Sequence, residues 1–452
     1  MSKQDSRSKP AWSRREFLRI GAAWGATVSV VPASVLGRGA QPPSNRLNIA
    51  CIGVGGRGNA SVQAVKGENI VALCDVDVSR AAKARQQFPK ARFYQDFRRL
   101  FDEMEKEIDA VTVATPDHTH APAAMAAIRR GKHVYCEKPL AHSLQEVRRL
   151  TEAAREHGVQ TQLGNQGHSS NSIREFCEMI WDGAIGVVRE VHAFVGNSYC
   201  PPVRVRPAER PPLPAGLDWE AWLGPAPARP YHPLYHPGKW RGWVPFGTGI
   251  AGDWTCHVLD PIFWALDLGA PTAAIADPVD YDDPRIRAET FPPGCVIRYD
   301  FPAKGARPAV KVYWYEGSRQ PARPPGLEPG RNLPRIGAYI VGTRGVIMHG
   351  SHGAAGAQLL PASRWREYQR PAPTIPRSRG HHADWLIACK GGPPASSNFD
   401  YGGPLTEVAL LGVLAQRFPR QRLEWDAASL RITNHPEADR WVRPPWRAGW
   451  DV

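Results

Sequence analysis

Three groups of residues in this chain have types and spacings suited to chemistry. At Glu137-Lys138-Pro139 a carboxylate and an ammonium end the apolar run His133-Val134-Tyr135-Cys136, immediately before a proline. Pro139 has no backbone donor and a fixed φ, so a strand must stop there. Strand ends in an open parallel sheet face the ligand crevice, which sets Lys138 where a cofactor and a substrate could meet. A solvated ion pair before a turn is the plainer reading of the same residues. In the second group, Asp253, His257, Asp260 and Trp264 are spaced to share one helix face. An Asp one turn before a His can fix its tautomer and raise its pKa, which suits general acid/base work. Pro261 interrupts this helix: either it kinks there, or Asp260 caps a new helix with Pro261 at its first position. Lys138, His257 and Asp253 are the catalytic candidates.

The third group is Gly53-Val54-Gly55-Gly56-Arg57-Gly58. It follows the apolar strand Leu47-Asn48-Ile49-Ala50-Cys51-Ile52 and precedes a helical stretch, Asn59 to Lys66. In this setting Gly53 permits the tight turn, Gly55 lets backbone approach a pyrophosphate, and Gly58 lets helix and strand pack closely. Gly56 and Arg57 complete the turn, and the helix N-terminus offers amides to phosphate. A second strand, Ile70 to Cys74, ends in Asp75, 17 residues after Gly58. Its carboxylate could accept from both ribose hydroxyls, which favours NAD and leaves NADP as the alternative, with Asp77 and Arg80 close by.

The elements that would position these groups alternate strand and helix. Helices are expected at Ser79 to Phe88, Asp96 to Glu107 and Ser143 to His157, with strands at Arg92 to Tyr94, Asp109 to Thr115 and Val159 to Leu163. The strand ending at Thr115-Pro116 leads into Asp117-His118-Thr119-His120 and a helix to Arg130. Two histidines without a third ligand more often cap or pack than hold a metal, so no metal is expected and His118 is assigned to the cofactor. Thr115, Pro116, Glu137, Asn165 and Gln166, all at strand ends, join it. His168, Trp240, Arg241 and Trp254 are candidate substrate contacts. Further on, strands are expected at Val187 to Val195, Cys295 to Phe301 and Ala309 to Tyr315, then a hairpin (Ala338 to Val341, Val346 to Met348) and an apolar helix from Pro404 to Phe418. The proline-dense, aromatic stretch from Pro201 to Pro237 reads as an ordered excursion lining the cleft or an oligomer contact. His381 and His382 read as capping or surface residues.

With 452 residues the chain is long enough for two or three domains. Its net charge of +14 shows no Lys/Arg run or basic-aromatic stripe, which argues against a nucleic-acid face. The 8 cysteines include no C-x-x-C pair, and those in apolar runs read as buried thiols. Ser13-Arg14-Arg15-Glu16-Phe17-Leu18 precedes a short apolar run from Ile20 to about Leu36. This pattern resembles a twin-arginine export signal, too short for a confident membrane span.

Taken together, Gly53 to Gly58, Ala114-Thr115-Pro116-Asp117-His118-Thr119-His120, Gly131-Lys132-His133-Val134 and Glu137-Lys138-Pro139 resemble the Gfo/Idh/MocA oxidoreductase family. The resemblance implies an α/β fold: an N-terminal Rossmann dinucleotide-binding domain (44–166), then a C-terminal α+β domain (167–452) with an open, mainly antiparallel sheet. It also implies that Lys138 lies between nicotinamide and substrate, that the Lys138-Pro139 peptide is often cis, and that Gly252, Asp253 and His257 match the second-domain motif. The expected function is hydride transfer between a tightly held NAD and a sugar or cyclitol-like polyol, with His257 taking the proton, Asp253 orienting His257, and Glu137 positioning Lys138 or a cofactor group. A redox-neutral glycosidase or lyase using transient oxidation, and a non-catalytic carbohydrate-binding protein, are the alternatives. An exported (periplasmic) homo-oligomer with no membrane span beyond the signal (1–40) is expected.

Overall fold

A computed structural model describes residues 45–450 and 452; the twin-arginine segment lies outside them. The first sheet has six parallel strands: β1 (Asn48–Ile52), β2 (Asn69–Cys74), β3 (Arg92–Tyr94), β4 (Ala110–Val113), β5 (His133–Glu137) and β6 (Thr161–Gly164), in the order β3-β2-β1-β4-β5-β6. Strand β4 is buried at every position, as expected where helices cover both faces of a parallel sheet. Strand order reverses between β1 and β4, so the crevice at their C-terminal ends is the topological switch point.

Local chemistry fixes the helices. Asp77 accepts from the Ser79 and Arg80 amides to start the Val78–Gln87 helix, and Ser143 with Glu146 forms a reciprocal capping box at Leu144–Glu156. The Arg57–Ala64 helix lies so close to β1 that a Cβ on Gly58 would sit 1.8 Å from the Gly53 carbonyl oxygen. Here the glycine is required by space, as its place in the motif predicts.

The second sheet holds nine strands: β7 (Val188–Val195), β8 (Ala273–Pro278), β9 (Gly294–Phe301), β10 (Val310–Gly317), β11 (Ile336–Gly342), β12 (Gly345–His349), β13 (Gln358–Leu360), β14 (Arg422–Asp426) and β15 (Arg431–Ile432). Their order is β13-β12-β11-β7-β10-β9-β8-β14-β15, and only β7 and β10 run parallel. The expected hairpin is β11-β12, closed by Gly342 opposite Gly345. Strand β8, with three alanines in six residues, lacks the branched and aromatic pattern that marks a strand in sequence.

The Phe399–Gln416 helix starts earlier than the sequence suggests, because Asn398 caps it by accepting from the Asp400 and Tyr401 amides. Gly402 and Gly403 bring it against Leu163 of β6 and Thr151. Packed also on the Gly249–Val258 helix and β8, it helps hold 47–452 as one compact unit. Among the described residues no helix is long and apolar enough to cross a membrane.

Replacing Gly58 by Ala should cost at least ~1–3 kcal/mol, because backbone must move to admit the methyl group. Urea unfolding should show a lowered midpoint; an unchanged midpoint would contradict the close packing at this turn.

Candidate active site

The crevice is built by strand ends. The Gly53 amide donates to the Cys74 carbonyl (2.8 Å), and the Val54 and Gly55 amides donate to Asp75 Oδ2 (3.0 Å each). Asp75 Oδ1 accepts from the Asp77 amide at 3.0 Å. Asp75 therefore holds the glycine turn as well as facing the cavity. Burial pushes its carboxyl up, and these amides oppose the rise. The Arg80 guanidinium lies against Gly55 and Gly56, where a side chain at either glycine would strike it. A backbone cradle with cations at its rim suits an anionic pyrophosphate.

At the end of β5, Glu137 Oε1 accepts from Arg57 Nε (3.1 Å), Gln166 Nε2 (3.0 Å) and Ser61 Oγ (3.3 Å). Of the two roles expected for Glu137, positioning Lys138 is not the one seen: its partners are Arg57, Gln166 and Ser61. The Lys138-Pro139 peptide is cis. The His120 ring spans the turn, with Nδ1 2.7 Å from the Pro139 carbonyl and Nε2 2.9 Å from the Thr115 carbonyl.

Lys138 reaches across to the Gly249–Val258 helix. Its Nζ donates to the Asp253 carbonyl at 2.8 Å and pairs with Asp253 Oδ1. Tyr199, four residues past β7, donates to Asp253 Oδ2 at 2.6 Å, and Arg241 Nε stands 3.7 Å from Oδ1. Burial alone would push the Asp253 carboxyl up. The Lys138 and Arg241 charges, with hydrogen bonds from Lys138 and Tyr199, outweigh it and leave the carboxyl below its ordinary range. Burial and the adjacent Asp253 charge push the Tyr199 hydroxyl up, so it remains a donor.

This corrects one expectation: Asp253 does not orient His257. Its oxygens face Lys138, Tyr199 and Arg241, while His257 Nδ1 is buried with no hydrogen-bond partner among the described residues. The His257 ring lies 4.1 Å, centroid to centroid, from His352. Burial, then Lys138 and His352, lowers the His257 pKa rather than raising it, so the ring stands neutral; His352 is lowered by burial and Lys138. Asp260 is not a helix cap: the helix breaks at Leu259, and Asp260 is the first residue of the next one, Asp260–Ala265, with Pro261 in its first turn and the Asp260 carboxylate turned to His168 and Tyr401.

These groups share one cavity of about 590 Å³, within the usual range for ligand sites. Gly53, Gly55, Gly56, Arg57 and Asp75 line it at the glycine turn; Thr115, Pro116, Glu137 and Lys138 line it at the β4 and β5 ends, and Gln166 just past β6. Trp240, Arg241, Asp253 and His257 close the opposite wall.

Four expected contacts and one motif glycine lie off the wall. Gly58 acts through packing. His118 is buried between Trp222 and Phe246, its nitrogens 2.9 Å and 3.1 Å from their carbonyl oxygens, and burial pushes its pKa down to about 3. Asn165 accepts from Ser397 Oγ at 2.6 Å in the interior. His168 Nδ1 pairs with Asp260 (2.9 Å), its ring stacked on Trp264. Trp254 donates to the Tyr199 hydroxyl at 3.1 Å from one layer behind. His381 and His382 are likewise interior: His381 Nε2 lies 2.6 Å from the Leu163 carbonyl, and His382 stacks on Tyr135. His118, Asn165, His168, Trp254 and His381 each have a hydrogen-bond partner inside the protein instead of facing the cavity, while His382 is held by its stack on Tyr135.

Sequence reasoning missed Tyr199 and His352. A tyrosine just past a strand and before a proline-dense run was a usable signal for the first. His352 carries none, since it reaches the site because Gly353 packs backbone to backbone on Gly167, where a Cβ would lie 2.3 Å from the Gly167 oxygen. Among the described residues no group of three or more His, Cys, Asp or Glu is arranged to hold a metal ion.

Residues 47–165 match the NAD-binding Rossmann fold of an oxidoreductase family, and 203–285 match the C-terminal alpha/beta domain of the same family. An inositol 2-dehydrogenase of Saccharopolyspora erythraea is 35% identical over 161 residues, 34% of this chain and 47% of that protein. A glycosyl hydrolase family 109 protein of the same organism is 31% identical over 301 residues, 59% of this chain and 58% of that protein. The chain thus spans about half the length of these curated relatives. The crystal structure of the WlbA dehydrogenase from Bordetella pertussis, solved with NADH and UDP-GlcNAcA, shares the fold with a TM-score of 0.58 at 17% identity, covering 84% of this chain and 98% of that one. Over 47–165 and 203–285 the chain is thus similar to the two domains of the Gfo/Idh/MocA family of oxidoreductases, and the glycine turn, Lys138, Asp253 and His257 are gathered on one cavity.

Proposed function

We propose that the protein is an NAD-dependent oxidoreductase acting on a hydroxyl-bearing carbon of a sugar or cyclitol-like polyol, with the cofactor held between turnovers. The observation that carries this reading is the meeting of Lys138 and Asp253 on the cavity that also contains the glycine turn. The names of the relatives, an inositol dehydrogenase and a glycosyl hydrolase, support a carbohydrate substrate. The residues present fit a dinucleotide. A Cβ on Gly53 would strike the Ala114 backbone and one on Gly55 or Gly56 the Arg80 side chain, so the turn keeps its backbone bare where it lines the cavity, with Arg57 and Arg80 flanking it. Asp75 and Asp77 favour free ribose hydroxyls over a 2′-phosphate, hence NAD over NADP.

When bound, nicotinamide supplies a hydride acceptor. The chain's own residues handle the proton. Neutral His257 accepts it from the substrate hydroxyl, and the Lys138 ammonium stabilises the developing alkoxide. Asp253, fixed by Tyr199 and Arg241, holds Lys138 in place. The reading includes an exported homo-oligomer, the export resting on the Arg14-Arg15 pattern.

A second reading, transient oxidation followed by elimination and re-reduction, is favoured by Tyr199 and His352. They add proton-handling groups beyond those that simple hydride transfer requires. It differs in outcome, since the dinucleotide returns to its starting state each cycle.

Lys138→Ala should lower turnover at least ~100-fold while leaving sugar binding in place, read at 340 nm, roughly where reduced nicotinamide absorbs, and by product analysis. Sugar binding without turnover of any polyol by the unmutated protein would instead mark a binding protein. The pH profile gives a separate check. A base with a lowered pKa stays unprotonated to lower pH, so the acid limb of kcat/KM should fall below the ordinary histidine value of about 6.5. His257→Asn should abolish that limb. An acid limb at or above about 6.5 in the unmutated protein would remove His257 from the role.

A further inference from the structure

The cavity continues past the glycine turn to the end of β2. In the sheet order this lies three strands from β5, roughly 14 Å away. Rossmann sheets put the adenosine half of a dinucleotide on that side. Here the opening is roofed by chain from far along the sequence. Segment 216–238 crosses it, and the C-terminal tail lies on that segment.

The crossing segment is tied down at both ends to the turn after β2. The Val78 amide donates to the Gly216 carbonyl (3.1 Å), and the Asp218 amide donates to the Val76 carbonyl (2.9 Å). Gln95 Nε2 bridges both carbonyls, at 3.0 Å each. At the other end His236 Nε2 meets Asp77 Oδ2 at 2.8 Å. Asp77 Oδ1 is already committed to capping the Val78–Gln87 helix, so Oδ2 is the oxygen left for this contact. The tail is joined on by Arg447, whose Nε donates to the Gly224 carbonyl at 2.8 Å, and Trp450 meets Phe97 edge to face.

Of the side-chain nitrogens left over in segment 216–238, two belong to residues that line the cavity, while Arg229, whose Nε is also unpartnered, does not line it. Trp222 and His236 both line the cavity, at 3% and 6% exposure. Trp222 Nε1 and His236 Nδ1 are buried, and neither has a hydrogen-bond partner among the described residues. Buried polar atoms are nearly always paired, and an orphan in a cavity wall points to an absent partner. Their chemistry is complementary. An indole N–H only donates. A neutral imidazole whose Nε2–H is given to a carboxylate presents Nδ1 as an acceptor.

Resting on the dinucleotide reading above, we propose that Trp222 Nε1 and His236 Nδ1 bind the adenosine half of the cofactor, and that the 216–238 segment with the C-terminal tail encloses it so that NAD is retained. One donor and one acceptor match a nucleoside, whose ribose hydroxyls and adenine edge offer both. The nicotinamide half would sit at the Lys138 end, three strands away in the sheet order, and is assigned no contact with these two residues.

ADP-ribose and nicotinamide mononucleotide separate the two halves. Trp222→Phe keeps an aromatic ring in the roof and removes the N–H; His236→Ala removes the acceptor and the tie to Asp77. Each should weaken ADP-ribose binding by about tenfold, speed NAD release by a similar factor, and leave mononucleotide binding unchanged. A thermal midpoint close to that of the unmutated protein for Trp222→Phe separates loss of a contact from loss of fold. Unchanged ADP-ribose affinity and NAD release in both variants would overturn the assignment while leaving NAD binding itself intact. Failure of the unmutated protein to bind ADP-ribose or NAD at all would overturn the dinucleotide reading and this assignment together.

Discussion

The structure depends on one contact: the Lys138 ammonium at the end of β5 against the Asp253 carboxylate on the Gly249–Val258 helix. Both side chains are largely buried, at 13% and 7% exposure. Neither charge would be tolerated there alone, since removing one partner of such a pair strands the other in a poor solvent. The pair therefore constrains what surrounds it. Asp253 has its remaining oxygen satisfied by Tyr199, and Arg241 adds a second positive charge. The backbone below Lys138 is held by His120, which spans the Pro139 and Thr115 carbonyls. Residues from the first sheet and from the β7 side of the second are thus fixed to one point, and the cavity opens around that point.

Charge is distributed with the same economy. His257 and His352 stand beside Lys138 and are kept neutral by burial and by that ammonium. A positive centre is thereby placed next to two proton acceptors, the combination an alcohol needs if it is to lose a proton and a hydride. At the opposite end, Asp75 and Asp77 divide their oxygens among backbone amides, a helix cap and His236. The carboxylates there shape the turn while remaining at the cavity edge. The two ends are built on different principles: paired charge at the Lys138 end, and an aromatic roof with unpaired nitrogens at the other.

Much of this was legible in the sequence because it is local. A glycine turn after a strand, an Asp at the end of the next strand, and a Lys before a proline each state their geometry within a few residues. The glycines are dictated by backbone approach, and Gly58 has no room for even a methyl group. What could not be read is the pairing of polar groups across long separations. His118, Asn165, His168 and Trp254 sit beside functional residues in sequence, yet each turns to an interior partner. Tyr199, His236, His352 and Trp450 arrive through loops and a tail whose docking depends on tertiary packing. The assumption that Asp253 serves His257 failed for the same reason. Helical spacing brings the two within reach, but the stronger interaction is with a full charge from the other sheet.

The measurement that tests this account most directly is a double-mutant cycle on folding stability with Lys138→Met, Asp253→Asn and the two combined, read by urea unfolding at neutral pH. If the pair anchors the site, each single change is destabilising and the double costs clearly less than their sum, with a coupling of about 1–3 kcal/mol. Additive effects, with coupling near zero, would mean that the two side chains do not sense each other and would contradict the account at its centre.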